Sequence, residues 1–195
     1  MAIIVKEGVV YDRENPPAGP IQGVCFKVFD VGIQASSFGE SHKILIVWEI
    51  NHRYTKGDFK GKRMLVNKLY TASLGTKANL RKDLENWKGK PFNEMELKAF
   101  DVERLAGVNA MLNIVLETKG ENTYANVGTI MGLPEGMAKI ECECLSDFIP
   151  GRVKKLLETR LPEFAAVDEI AAKGWGETEK KEAPKPQTEG DLEIF

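Results

Sequence analysis

The stretch Thr76-Lys77-Ala78-Asn79-Leu80-Arg81-Lys82-Asp83-Leu84-Glu85-Asn86-Trp87-Lys88 decides how this chain is read. Leu80, Leu84 and Trp87 recur at i, i+4 and i+7, which places them on one apolar stripe of a helix. Lys77, Arg81 and Lys88 form a basic stripe beside it. Gly89 and Pro91 supply the stop signal. The spacing therefore predicts a helix over 76–88. On both sides of it the period changes from that of a helix to that of strands.

Upstream, residues 43–50 alternate, with Ile44, Ile46, Trp48 and Ile50 on one face, so Trp48 is expected in the core. Residues 63–71 read as the next strand. Residues 22–34 read as the first, with Val24, Phe26 and Val28 on one face and Lys27 and Phe29 on the other. Gly32 marks a bulge or bend within it. The Asn15-Pro16-Pro17-Ala18-Gly19-Pro20 stretch cannot be helix. Downstream, Asn93 followed by Glu96 predicts a capped short helix to Phe100. Residues 108–117 and 123–131 read as a hairpin that turns at Lys119-Gly120-Glu121-Asn122. Three strands, a helix and two strands give a mainly β fold with a helical insert. The expected architecture is a five-stranded OB-fold-like barrel with the helix between strands 3 and 4. Another small barrel or sandwich with a helical insert is the alternative.

The chain changes character after Pro134 and again from Gly174. Residues 1–137 are expected to be an OB-fold-like domain, with the barrel over 22–132. Residues 138–175 form a C-terminal extension with short helices at 152–160 and 163–173, split by Pro162. Residues 176–195 read as a disordered acidic tail, because they contain too little apolar surface to offset the cost of ordering.

The chain has 195 residues and a mass of 21.7 kDa, with 43% hydrophobic and 29% charged residues. That is globular composition, with enough chain to bury a core without staples. The densest apolar run, Ile44-Leu45-Ile46-Val47-Trp48, falls far short of the ~20 residues of a membrane span. Met1-Ala2-Ile3-Ile4-Val5-Lys6-Glu7 has no signal-peptide pattern. The cysteine count is odd, at 3, which argues against a disulfide framework and for a reducing, cytoplasmic setting.

The net charge of −2 hides a strong asymmetry. Residues 51–90 carry eleven Lys or Arg against three acids, whereas residues 176–195 carry six acids against three Lys. A basic run is most commonly a solvated face. Here the cations are interleaved with aromatics: Arg53, Tyr54, Lys56, Phe59, Lys60, Lys62, Arg63, Lys68 and Tyr70. Cations neutralise phosphates, and flat rings stack on unpaired bases of any identity. The expected DNA-binding set is Lys27, Phe29, Arg53, Tyr54, Lys56, Lys60, Lys62, Arg63, Lys68, Tyr70, Lys77, Arg81 and Tyr124. Burial in the core is the competing reading for Phe29 and Tyr70; Tyr54 and Tyr70 are expected to be exposed.

Catalytic patterns are poor. The two histidines, His42 and His52, lie near no nucleophile in sequence. Gly57-Asp58-Phe59-Lys60-Gly61-Lys62-Arg63 fails as a phosphate-binding loop of the NTPase type. It has three residues between its glycines instead of four, and Arg63 stands where a hydroxyl is needed. Cys142-Glu143-Cys144 has no zinc-ligand spacing and reads as two small half-buried side chains on a strand. Asp30, Glu49, Asp58 and Glu85 are scattered, without metal-site spacing. No catalytic residue, metal or cofactor is expected.

Two resemblances sharpen this reading. Glu189-Gly190-Asp191-Leu192-Glu193-Ile194-Phe195 resembles the acidic, Phe-terminated tip of bacterial and phage single-stranded-DNA-binding proteins. Tyr70-Thr71-Ala72-Ser73-Leu74, Leu80-Arg81-Lys82-Asp83-Leu84-Glu85, Gly89-Lys90-Pro91-Phe92, Leu112-Asn113-Ile114-Val115 and Tyr124-Ala125-Asn126-Val127 resemble a family of phage-encoded OB-fold single-stranded-DNA-binding proteins, over about residues 1–137. The resemblance implies a protein of phage replication, recombination or repair in the host cytoplasm. It implies that Asp191, Leu192, Glu193, Ile194 and Phe195 dock on replication or recombination proteins. A homodimer is one open assembly. A phage structural or adaptor protein, using the basic face for protein contacts, is the alternative function. A nucleic-acid enzyme ranks last, for want of clustered carboxylates.

Overall fold

The computed structural model describes residues 14–37 and 39–161. The expected helix at 163–173, the acidic tail and its tip Asp191–Phe195 lie outside the described residues.

Five strands form one antiparallel sheet: β1 (Gly19–Ser36), β2 (Gly39–Arg53), β3 (Arg63–Thr71), β4 (Asn109–Lys119) and β5 (Asn122–Met131), in the order β3-β2-β1-β4-β5. β1 is 18 residues long and serves two partners. Its Gly19–Val24 half pairs with β4, and Gly23–Ser36 pairs with β2. Such a strand must bend, and two register shifts bend it, between Cys25 and Lys27 and between Asp30 and Gly32. Gly32 takes φ +69°, so the expected bulge sits where a residue without Cβ allows it. At Gly23, where β1 changes partner, a Cβ would lie 2.9 Å from Leu112 Cδ1.

The first bulge corrects the expected faces of β1. Strict alternation groups Phe26 with Val28. The extra residue instead leaves Cys25 and Val28 in the main core and turns Phe26 and Phe29 to the opposite side.

Ile44, Ile46, Trp48 and Ile50 are all buried in that core, as their alternation predicts. Each such side chain contributes roughly 1.5–3 kcal/mol on burial. The helix α1 (Asn79–Lys88) starts three residues later than expected and buries the predicted stripe of Leu80, Leu84 and Trp87. Trp87 packs on Trp48 with ring centroids 5.8 Å apart, and its Nε1–H donates to the Asn109 carbonyl at 2.9 Å. Gly89, at φ +73°, ends the helix. A short helix α2 (Glu94–Lys98) follows, with Asn93 and Glu96 forming the expected capping box, and a 3-10 turn covers Val102–Leu105.

α1 leans on β5 and β3. Among the described residues no ladder joins β3 to β5, so the sheet is open along that seam. Lys68 spans it, donating from Nζ to the Gly128 carbonyl at 2.7 Å.

Residues 138–161 return across the outer face of the sheet. The helix α3 (Gly151–Glu158) sets Val153, Leu156 and Leu157 against Phe26, Val31, Leu45 and Val47. Glu49 is buried on this face at 1% exposure. It accepts from the N–H groups of Glu143 and Cys144 at 3.0 and 2.8 Å and pairs with Arg63 at 3.2 Å. The Asn109 side chain brackets Ile140, accepting from its N–H at 2.9 Å and donating to its carbonyl at 3.0 Å. The Cys142–Cys144 stretch is therefore an irregular strap pinned by Glu49, not the expected strand.

Candidate nucleic-acid interface

Sequence patterning alone treats residues 53–71 as one cationic, aromatic stretch. The fold divides it. Between β2 and β3 the chain makes a compact loop, closed by Tyr54 N–H to the Lys62 carbonyl at 3.0 Å and by Gly61 N–H to the Tyr54 carbonyl at 2.9 Å. Gly57 and Gly61 take φ of +72° and +83°, which is how so short a loop turns twice. The loop presents Phe59 at 52% exposure, with the half-buried Tyr54 ring 5.9 Å away. Lys56, Lys60 and Lys62 are exposed around them, and Lys62 Nζ lies 6.0 Å from the Phe59 ring centroid.

The two arginines of the loop behave differently from its lysines. Arg53 grips Glu143 through both guanidinium amino groups at 2.8 and 2.6 Å and reaches the Gly61 carbonyl at 2.7 Å. Arg63, only 12% exposed, holds Glu49 and the Glu141 carbonyl. A planar fork suits fixed bidentate partners, and both arginines clamp the strap to the sheet.

The segment before β1 ties the loop to the β4–β5 hairpin. Glu14 accepts hydrogen bonds from Thr55 and Lys56, while the next residue, Asn15, donates to the Thr123 carbonyl at 2.9 Å. Adjacent residues stand ~3.8 Å apart, so the loop and the hairpin lie side by side. Tyr124, 43% exposed, therefore shares this end of the molecule with Tyr54 and Phe59. The Thr55 hydroxyl, then the backbone N–H groups and the Lys56 charge, hold the Glu14 carboxyl below its usual range.

The β3–α1 seam corrects the expectation for Tyr70. Its ring is 3% exposed within the main core, and its hydroxyl donates to Asp83 Oδ2 at 2.8 Å. Burial, then the Asp83 charge and hydrogen bond, push the phenol far above its usual pKa. Lys68 donates to the same carboxylate oxygen at 2.7 Å. Both side chains point inward because α1 delivers a carboxylate there. Tyr70 presents no face to a base, and Lys68 is committed to closing the seam.

The remaining expected residues scatter. Lys27 is exposed on the β1 bulge with Nζ 5.6 Å from the Phe29 ring, and Phe29 is half-buried under α3. Lys77 is exposed and lines a groove of about 290 Å³ with Lys43, Lys68, Thr71 and Asn79. Arg81 pairs with Glu85 at 3.0 Å. Lys88 of the basic stripe is buried against Glu96.

Sequence reasoning left Lys43 out of the expected set, along with four exposed cations on or next to α3: Arg152, Lys154, Lys155 and Arg160. The spacing of Val153, Leu156 and Leu157 marks one apolar face of that helix, so its cations had to face away from the sheet.

Among the described residues no three His, Cys, Asp or Glu side chains gather as a metal site, and no helix is long and apolar enough to cross a membrane. The sequence matches no protein-family model, and comparison with curated proteins gives no match.

Proposed function

We propose that this chain is a sequence-independent, non-catalytic single-stranded-DNA-binding protein of phage replication and recombination. One observation carries the reading. The exposed Phe59 and the half-buried Tyr54 pair on one loop among Lys56, Lys60 and Lys62, and the Glu14–Asn15 segment links that loop to the hairpin that carries the exposed Tyr124. Stacking platforms flanked by cations suit an unpaired strand and ask little of its sequence. A duplex, with its bases already stacked, offers these rings nothing.

The OB-fold is part of the proposal. In its favour are the strand order, with β1 shared between β2 and β4, and the helix that follows β3 and sits at the open seam. The acidic tip Asp191–Phe195 would recruit replication or recombination proteins while the body protects the strand.

Anisotropy of labelled oligo-dT over a salt series, with duplex DNA and single-stranded RNA as competitors, tests the reading. Tight, salt-dependent binding that duplex does not displace supports it. Absence of binding at low salt ends it. Deleting residues 189–195 should leave the affinity unchanged or tighter; a loss would end the tail's assigned role.

A second reading, an adaptor protein working through protein contacts, draws on the exposed Val115, Leu116 and Met131 of the hairpin. It expects a stoichiometric protein partner and no oligonucleotide binding.

A further inference from the structure

The Glu14 carboxylate is held by donors alone, converging on it from one short piece of loop. Its Oε1 accepts from the Thr55 hydroxyl at 2.8 Å and from the Thr55 N–H at 3.2 Å. Its Oε2 accepts from the Thr55 N–H at 2.9 Å and from the Lys56 N–H at 3.3 Å. Successive backbone N–H groups of this kind make an anion-binding concavity. The seat already holds an anion, so its preference is read from an occupant and not inferred from shape alone.

The surroundings say which outside anion would compete. Lys56, Lys60 and Lys62 are exposed on the same loop, and the Tyr54 and Phe59 rings lie beside it. A carboxylate offers two oxygens to such a cradle, and so does a phosphodiester through its non-bridging pair. Glu14 belongs to a different part of the chain, the segment that leads into β1. It can therefore leave without unmaking the loop, whose own closure runs through Tyr54, Gly61 and Lys62.

We infer that the Thr55–Lys56 cradle is a seat for a backbone phosphate of the bound strand, and that Glu14 occupies it in the unbound protein and is displaced when the strand arrives. The inference rests on the single-strand reading above and deepens it, by naming a phosphate contact and its internal competitor. Its consequence is quantitative. A binding-competent state that is only partly populated lowers the apparent affinity by that fraction.

The test uses the full chain with Glu14→Ala, Glu14→Gln and Thr55→Val. Glu14 and Thr55 are away from the core, and circular dichroism checks that each variant is folded. At fixed salt, Glu14→Ala should bind oligo-dT about three- to tenfold more tightly than wild type, and Glu14→Gln should lie between. Combined with Glu14→Ala, Thr55→Val, which loses the hydroxyl donor, should bind about tenfold more weakly than Glu14→Ala alone. In Glu14→Ala, inorganic phosphate should shift the Thr55 and Lys56 amide resonances saturably, at concentrations that leave wild type unmoved.

Equal oligo-dT affinity in wild type and Glu14→Ala, with amides indifferent to phosphate, would overturn this inference and leave the single-strand reading standing. Weaker binding by a folded Glu14→Ala would overturn it too, since Glu14 would then be supporting the loop. Phosphate-responsive amides in a protein that binds no oligo-dT would keep the anion seat and end the strand as its ligand. That last result would count against the single-strand reading and not against the cradle.

Discussion

Two places in this molecule bring lysine and tyrosine together, and they have opposite fates. At the β3–α1 seam, Lys68 and Tyr70 both bind Asp83, and the tyrosine is sealed in the core. In the β2–β3 loop, Tyr54 stands with Phe59 among Lys56, Lys60 and Lys62, at the surface. The two stretches look alike in sequence. A carboxylate supplied by a later helix separates them. In the dry seam the acid binds phenol and ammonium together and makes both structural, whereas at the loop Glu14 engages the Thr55 and Lys56 N–H groups and leaves the Phe59 ring at the surface. A buried phenol needs a partner, and Asp83 provides it.

The sharpest way to break this comparison is to truncate each tyrosine in turn. Tyr70→Ala empties a core site and should cost about 3–5 kcal/mol in urea unfolding. Tyr70→Phe keeps the ring but removes a donor from Asp83, and should cost about 1–3 kcal/mol. If Tyr70→Ala were as stable as wild type, Tyr70 would not be what seals the β3–α1 seam. Glu49→Ala belongs on the same side of the comparison. It leaves Arg63 to Glu143 and the Glu141 carbonyl and releases two strap N–H groups, so a loss of about 1–3 kcal/mol is expected from the same melts.

On the open side the effect should move from stability to binding. Tyr54→Ala and Phe59→Ala should each weaken oligo-dT binding by about 1–3 kcal/mol. Phe59→Ala should also melt close to wild type, since the ring is half exposed. Tyr54 packs partly on the core, so its truncation should show a modest share of both effects. A variant of Phe59 that lost stability and kept its affinity would erase the distinction between the two regions.

Much of the fold was legible in advance because burial and period agreed. Ile44, Ile46, Trp48 and Ile50 alternate and all go inward; Leu80, Leu84 and Trp87 sit on one helical stripe and cover them. The faces of β1 were not legible, because one inserted residue at a bulge exchanges inside for outside, and hydropathy does not mark the insertion. Nor was Tyr70, whose fate depends on Asp83, brought to it by tertiary packing. The site was half legible. Composition picked out the 53–63 loop as cationic and aromatic. It did not separate the arginines, which clamp the strap, from the lysines, which face solvent. The Glu14 cradle left no composition signal at all, since it is made mostly of backbone N–H groups.

That division of the loop's cations gives a finer test. Each exposed lysine that meets a phosphate should contribute about 0.7 to the slope of log K against log salt for a single strand. Lys56→Ala, Lys60→Ala and Lys62→Ala should therefore each flatten the slope, with stability little changed. Lys68→Ala should do the reverse, lowering the melt and leaving the slope alone, because its charge is spent on Asp83. A flattened slope in Lys68→Ala would reopen the seam as part of the interface.

The smallest expected effect is on pH. The Arg53 hydrogen bond holds the Glu143 carboxyl below its usual range, and the Thr55 hydroxyl does the same for Glu14. A folded pKa lowered in this way gives stability that is fully present above the ordinary carboxylate value, about 4.3, and is lost as pH falls through the folded value. Both groups are at the surface, where such contacts count for little and salt screens them. Stability should thus be level from neutral pH down to about pH 5 and then decline. Glu143→Gln should remove part of that decline, because the clamp it protonates is already gone, and high salt should shrink the remainder. The strap itself should stay on the sheet throughout the level range, because its apolar contacts through Val153, Leu156 and Leu157 do not titrate. If the strap's amides instead lost their exchange protection as soon as Glu143 was replaced, the Arg53 clamp, and not apolar burial, would be what keeps the outer face covered.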